Sequence, residues 1–173
     1  MKRVLFLLGH LNDLDIEWMM HNGNKQDLEI GDRLIRKGES IESLYIVLSG
    51  QLSITADLGN KQNIALLGSG EIVGEMSLLE SRPPSVSVIA TKPSTVYCIS
   101  LKLIEARLSL NLEFKANFYY ALALFLSNRL RKTTDRLGYG IPEEEDLIDV
   151  NVLNGVSQAG SRFSQILQRF SEV

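Results

Sequence analysis

Apolar positions change their spacing twice along this chain. Near the start, Ile16, Met19 and Met20 recur at helical intervals, and Asp13 is placed to cap that helix. The pattern then shortens into seven runs: Asp27–Ile30, Arg33–Arg36, Leu44–Leu48, Gln51–Ala56, Asn63–Leu67, Ser85–Thr91 and Thr95–Ile99. Turn-forming residues separate them: Gly31-Asp32, Gly38-Glu39, Ser49-Gly50, Gly59-Asn60, Gly68-Ser69-Gly70 and Pro93-Ser94. Short strands with closely spaced turns predict a β-sandwich or barrel. The run Leu44-Tyr45-Ile46-Val47-Leu48 is apolar on both faces, as expected of a central strand covered on both sides. Val86, Val88 and Ala90 alternate with Ser85, Ser87 and Thr91, which predicts one core face and one more polar face toward a pocket or water.

From about Leu101 the spacing becomes helical again. The longest helix is predicted from about Leu112 to Leu137 and carries two apolar stripes. Tyr119, Leu122, Leu126, Leu130, Thr133 and Leu137 form one; Phe114, Phe118, Ala121 and Phe125 form the other. One face can cover the β-domain, and the other calls for a partner, most economically the same helix of a second copy in a homodimer. Arg129, Arg131, Lys132 and Arg136 read as a solvated helix end whose charge suits the macrodipole, with Gly138 as the stop. An acidic linker, Pro142 to Asp146, leads to an amphipathic segment, about Val156 to Phe170, expected to dock on its own dimer or a protein partner. The organisation is therefore a domain over 1–137 and a linker with tail over 138–173. The domain divides into a helical lead-in (1–22), a β-region (about 26–100) and helices (about 101–137).

Composition narrows the function classes. A formal net charge of −3 gives no global attraction to nucleic acid or an anionic membrane. The single cysteine, Cys98, excludes an internal disulfide and a cysteine-based metal cluster, and suits a reducing, cytoplasmic setting. Flanked by Tyr97 and Ile99, it reads as a small buried hydrophobe. The start imitates a signal peptide, but its apolar run, Val4 to Leu8, is short and Asn12, Asp13 and Asp15 follow at once. Phe118 to Leu126, the most apolar later stretch, falls far short of the ~20 residues that span a bilayer.

Residues 71–89, EIVGEMSLLESRPPSVSVI, carry the chemistry. Gly74 ends an apolar strand and lets backbone approach a ligand. The N–H groups of Glu75, Met76 and Ser77 open a short helix and suit a phosphate, while the Glu75 carboxylate can accept from a sugar hydroxyl. Acidic residues also favour first helical turns for dipole reasons alone. No dinucleotide fingerprint or phosphate-loop lysine motif is present. His10 and His21 sit in no metal-ligand or nucleophile–base pattern and read as surface or packing residues. Neither an enzyme nor a metal or other cofactor is expected.

Two stretches together resemble the cyclic nucleotide-binding domain family, as in catabolite-activator-type regulators and cyclic-nucleotide-gated kinases and channels. They are Leu34-Ile35-Arg36-Lys37-Gly38-Glu39 with Leu44 to Gly50, and Gly70-Glu71-Ile72-Val73-Gly74-Glu75-Met76-Ser77-Leu78-Leu79, which looks like the family's phosphate-binding cassette. The resemblance runs from about Leu11 to Leu137. It implies a β-jelly roll with flanking N-terminal helices and a long C-terminal helix that often forms a dimer seam. It also implies that the glycine–glutamate pair meets the ribose, that the short helix meets the cyclic phosphate, and that an arginine neutralises it. Here the arginine position falls on Pro84, and the small residue two beyond it is Val86. Arg82 lies two residues early, and Pro83-Pro84 limits its reach. Without an arginine on the phosphate, binding is expected to be roughly 10–100-fold weaker.

The candidate ligand-binding residues are thus Val73, Gly74, Glu75, Met76, Ser77, Arg82, Ser85, Val86 and Ser87, around a degenerate cassette. Three outcomes stay open: weak binding of cAMP or cGMP with Arg82 compensating, a different and less anionic ligand, or no small molecule and a scaffolding role. Catabolite-activator-type regulators append a DNA-reading helix-turn-helix after the long helix. Only an acidic linker and one short amphipathic helix are expected here, so nucleic acid is not an expected partner.

Overall fold

Among the described residues, eight strands form two antiparallel four-stranded sheets, one more than the seven apolar runs because Ile72–Val73 before Gly74 also pairs. The computed structural model describes residues 10–56, 63–136, 168–169 and 172. A helix α1 (Asp13–His21) precedes β1 (Gly23–Leu28), β2 (Arg33–Ile35), β3 (Ser43–Ser49), β4 (Gln51–Thr55), β5 (Asn63–Gly68) and β6 (Ile72–Val73). A short helix α2 (Glu75–Glu80) leads to β7 (Ser87–Ala90) and β8 (Ser94–Ser100), followed by α3 (Leu101–Leu110) and α4 (Leu112–Arg136). The sheets run β1-β8-β3-β6 and β2-β7-β4-β5, the jelly-roll arrangement with a long C-terminal helix.

The first sheet is the middle layer. Leu44, Ile46, Ile72, Tyr97 and Ile99 pack toward the helices, against Ile16 and Met19 of α1, Ile104 and Leu108 of α3, and Phe114, Phe118, Ala121, Leu122 and Phe125 of α4. Val47, Val73, Val96 and Cys98 pack the other way, against Ile35, Leu52, Leu67, Val88 and Ala90. β3 therefore buries side chains on both faces, as its continuous apolar run requires. Cys98 is buried among these apolar groups, and burial pushes its thiol up to about 11, so it stays protonated and unreactive at neutral pH.

Three local expectations change. The α1 cap is Asn12, whose side chain accepts the Asp15 N–H at 2.8 Å, and Asp13 is the first helical residue. The first strand spans Gly23–Leu28, earlier than the apolar run suggests, because it is an exposed edge strand held to β8 by backbone pairing. The start of β7 is not an open polar face: the Ser87 hydroxyl is buried and accepts the Lys37 N–H at 3.0 Å. The Gly59-Asn60 turn, Leu137, Gly138 and the acidic linker lie outside the described residues. So does most of the tail, of which Gln168, Arg169 and Glu172 are described.

The lead-in helix is fastened by charge as well as packing. Buried Asp15 accepts from Arg107 of α3 at 2.6 Å. The same guanidinium lies over Trp18 and Phe114, at 4.7 and 4.9 Å from their ring centroids. α4 divides into faces only in part as its stripes predict. Phe114, Phe118, Ala121 and Phe125 are fully buried, but Leu122 of the other stripe is buried with them and Leu126 packs against the same core, so that stripe is split: Tyr119 and Leu130 are 40% and 68% exposed.

Phe118→Ala should cost about 3–5 kcal/mol because it empties the core beneath α4. Leu130→Ala should stay within about 0.5 kcal/mol in a dilute, monomeric sample. Urea unfolding of both variants measures the contrast.

Candidate functional site

Gly74 is the hinge of the site. It caps α2 in the left-handed region at φ +96°, and a Cβ there would meet the Ser43 carbonyl oxygen at 2.9 Å. Only glycine makes this turn without strain. It converts the end of β6 into α2 and carries Glu75 inward: Glu75 is 2% exposed, while Met76, one residue on, is 52% exposed. Val73 is buried beside Gly74, and Ser77 is half-buried.

The buried carboxylate meets Arg129 of α4. Arg129 donates from Nη1 to Glu75 Oε1 and from Nη2 to the Ile72 carbonyl at 3.0 Å, and it lies 4.0 Å from a Glu71 oxygen. Its guanidinium sits 4.6 Å from the Phe125 ring centroid. This corrects the expectation of a solvated basic helix end: Arg129 is an internal ion-pair partner, four residues after buried Phe125 on the same helical stripe. Burial raises the Glu75 carboxyl above its ordinary value of 4.5, and Arg129 opposes that rise.

The residues after α2 bond to the turn that follows β2. The Pro84 carbonyl accepts the Gly38 N–H at 2.9 Å, and the Ser87 hydroxyl takes the Lys37 N–H. The turn between β2 and β3 is thereby fixed against the residues that follow the cassette. Ser85 is exposed and Val86 half-buried. Arg82 goes elsewhere. With Ser77, Ser81 and Pro83 it lines a cavity of about 390 Å³ that extends to Ser40–Glu42 and to the start of α3, and Ser85, Val86 and Ser87 are not part of its wall. The structure thus unites Val73, Gly74, Glu75 and Arg129 at one end, and Ser77 with Arg82 at another.

The histidines remain apart from both places. His10 meets the Tyr120 ring edge-on at 5.0 Å, and His21 Nδ1 lies 2.7 Å from the Glu17 carbonyl oxygen. Among the described residues, no cluster of histidine, cysteine, aspartate or glutamate could hold a metal, and no helix is long and apolar enough to cross a membrane.

A sequence profile of the cyclic nucleotide-binding domain matches residues 25–110. The chain belongs to this family. A solved cyclic nucleotide-binding domain from Methylobacillus flagellatus shares the fold with a TM-score of 0.69 at 22% identity, over 83% of this chain and 85% of that one. The catabolite activator protein of Thermus thermophilus aligns with a TM-score of 0.62 at 26% identity, over 77% of this chain and 62% of that one. The CRP-like protein Clp of Xanthomonas campestris is 30% identical over 123 residues, covering 69% of this chain and 54% of Clp. The chain spans about half or less of the length of the curated relatives it matches.

Arg129→Ala would leave the Glu75 charge buried without its partner, at a cost of about 3 kcal/mol near neutral pH. Because the folded-state pKa of Glu75 is raised, the folded protein holds this proton more tightly than the unfolded chain, so stability from this group falls as pH rises. The variant's deficit should therefore be larger at pH 7 than at pH 5, read from denaturant titrations at both.

Proposed function

We infer that this chain is a non-enzymatic, cytoplasmic regulatory module with a degenerate cyclic-nucleotide cassette, binding cAMP or cGMP weakly or not at all. The observation that carries this reading is the state of the cassette's polar groups. Glu75, which would receive ribose hydroxyls, is buried against Arg129. Pro84 supplies no side-chain charge, and its carbonyl and the Ser87 hydroxyl already hold the neighbouring turn. A cyclic nucleotide entering here would lack its guanidinium counter-charge and would compete with internal bonds. Displacing a satisfied buried group costs more than a new neutral hydrogen bond returns.

The module acts through a homodimer seamed by α4 and through the 138–173 tail. Support for the seam comes from Tyr119, Tyr120 and Leu130, which stay 40%, 57% and 68% exposed on the helix whose opposite face is fully buried. Support for an engaged tail is slighter: Arg169 lies 3.3 Å from Glu17 of α1, a surface pair worth less than about 1 kcal/mol. The second reading, a ligand-free scaffold or protein-interaction module, is favoured by the same Glu75–Arg129 pair, which completes the site without a ligand. A DNA-binding regulator fits less well, given the net charge of −3 and the acidic linker.

Calorimetry with cAMP and cGMP tests the cassette. Native protein should bind more weakly than micromolar or not detectably, and Pro84→Arg should gain about tenfold or more. Micromolar or tighter native binding contradicts the degenerate-site reading; silence in both proteins favours the scaffold. Light scattering should give a dimer mass, lowered by Leu130→Glu, and a monomeric mass for the native chain refutes the seam.

A further inference from the structure

The cavity lined by Arg82 shares Ser77 and Arg82 with the candidate cassette residues and excludes Val73, Gly74, Glu75, Ser85, Val86 and Ser87. Three segments build it: Ser40–Glu42 before β3, Ser77–Pro83 at the end of α2, and Ser100–Glu105 at the start of α3. About 390 Å³ is within the range of small-molecule pockets. The wall is unlike the apolar lining of most such pockets. It carries the hydroxyl residues Ser40, Ser77, Ser81 and Ser100, the cations Arg82 and Lys102, and the carboxylates Glu42 and Glu105.

These groups are otherwise unused. Among the described residues, Arg82 and Lys102 enter no ion pair, and the hydroxyls of Ser40, Ser77, Ser81 and Ser100 enter no hydrogen bond. The backbone around them is built to a definite shape. Ser81 caps α2 at φ +54°, the single non-glycine residue with positive φ among the described residues, and its N–H bonds the Ser77 carbonyl at 2.9 Å. That turn directs the following Arg82 to the cavity. On the opposite wall Leu101 N–H bonds the Glu42 carbonyl at 2.8 Å, which joins the loop before β3 to the start of α3, and Ser100 gives that helix no side-chain cap.

The charge balance selects the ligand. A simple polyanion would meet Glu42 and Glu105, and a simple cation would meet Arg82 and Lys102. A small zwitterion satisfies both, with an anionic head on the arginine, lysine and serine hydroxyls and an ammonium group on the carboxylates. We propose that this cavity binds a small free zwitterion of the aminoalkyl phosphate type, at a place that does not include the Gly74–Glu75 turn.

An NMR titration of the ¹⁵N-labelled full chain tests this, with O-phosphoethanolamine as probe and inorganic phosphate and ethanolamine as its halves. The expected result is saturable movement of the Ser77, Ser81, Arg82 and Lys102 amides, with phosphoethanolamine binding tighter than either half. Arg82→Ala and Lys102→Ala, both at exposed positions and expected to keep native melting, should each weaken it about tenfold. Glu42→Gln with Glu105→Gln should remove the advantage over inorganic phosphate. No movement of these amides at millimolar probe overturns the proposal. So does equal binding of inorganic phosphate, or movement centred on Gly74–Met76 and lost in Glu75→Gln. Sedimentation with phosphatidylethanolamine vesicles should stay at background; vesicle binding lost in Arg82→Ala would overturn the assignment to a free ligand.

Discussion

The buried ion pair between Glu75 and Arg129 joins the two halves of this molecule. Gly74 turns Glu75 into a position where a lone carboxylate would be costly, and α4 places a guanidinium there. Arg129 also takes the Ile72 carbonyl and stacks on Phe125, so strand end, short helix and long helix share one cation. Breaking such a pair on one side is far more costly than never having built it. The cassette and α4 are consequently coupled in position, and whatever moves one is resisted by the other.

That coupling changes what the retained family features mean. The stretch 71–89 has a glycine turn, a carboxylate and a helix opening, and it lies within the residues 25–110 that match the cyclic nucleotide-binding domain family. Three of its polar groups, however, are bonded within the chain: Glu75 to Arg129, the Pro84 carbonyl to Gly38, and the Ser87 hydroxyl to Lys37. Arg82, the nearest free cation in sequence, lines a different cavity. These internal bonds hold the end of β6, α2, α4 and the turn between β2 and β3 together.

Some of this is legible from the residues and some is not. β3 can be read because Leu44 to Leu48 is apolar on both faces, which a middle-layer strand must be. The buried face of α4 can be read because Phe114, Phe118, Ala121 and Phe125 follow helical spacing. The apolar pattern misplaces β1 because an edge strand with one buried residue, Leu28, leaves almost no alternation to detect. It sets the α1 cap one residue late because Asn12 and Asp13 are both competent caps. Arg129 escapes a reading of the sequence because a helix-terminal arginine usually faces water, and its partner lies 54 residues away. The signal is nevertheless there, since Arg129 continues the stripe one helical step beyond Phe125. The direction taken by Arg82 depends on the left-handed backbone at Ser81, which serine does not announce.

A double-mutant cycle on Glu75→Gln and Arg129→Met, read by urea unfolding at pH 7, measures the central coupling directly. A coupling energy of about 2 kcal/mol or more is predicted, with the double variant more stable than the sum of the single losses. Additivity within about 0.5 kcal/mol would contradict it, and would mean that cassette and long helix are merely neighbours.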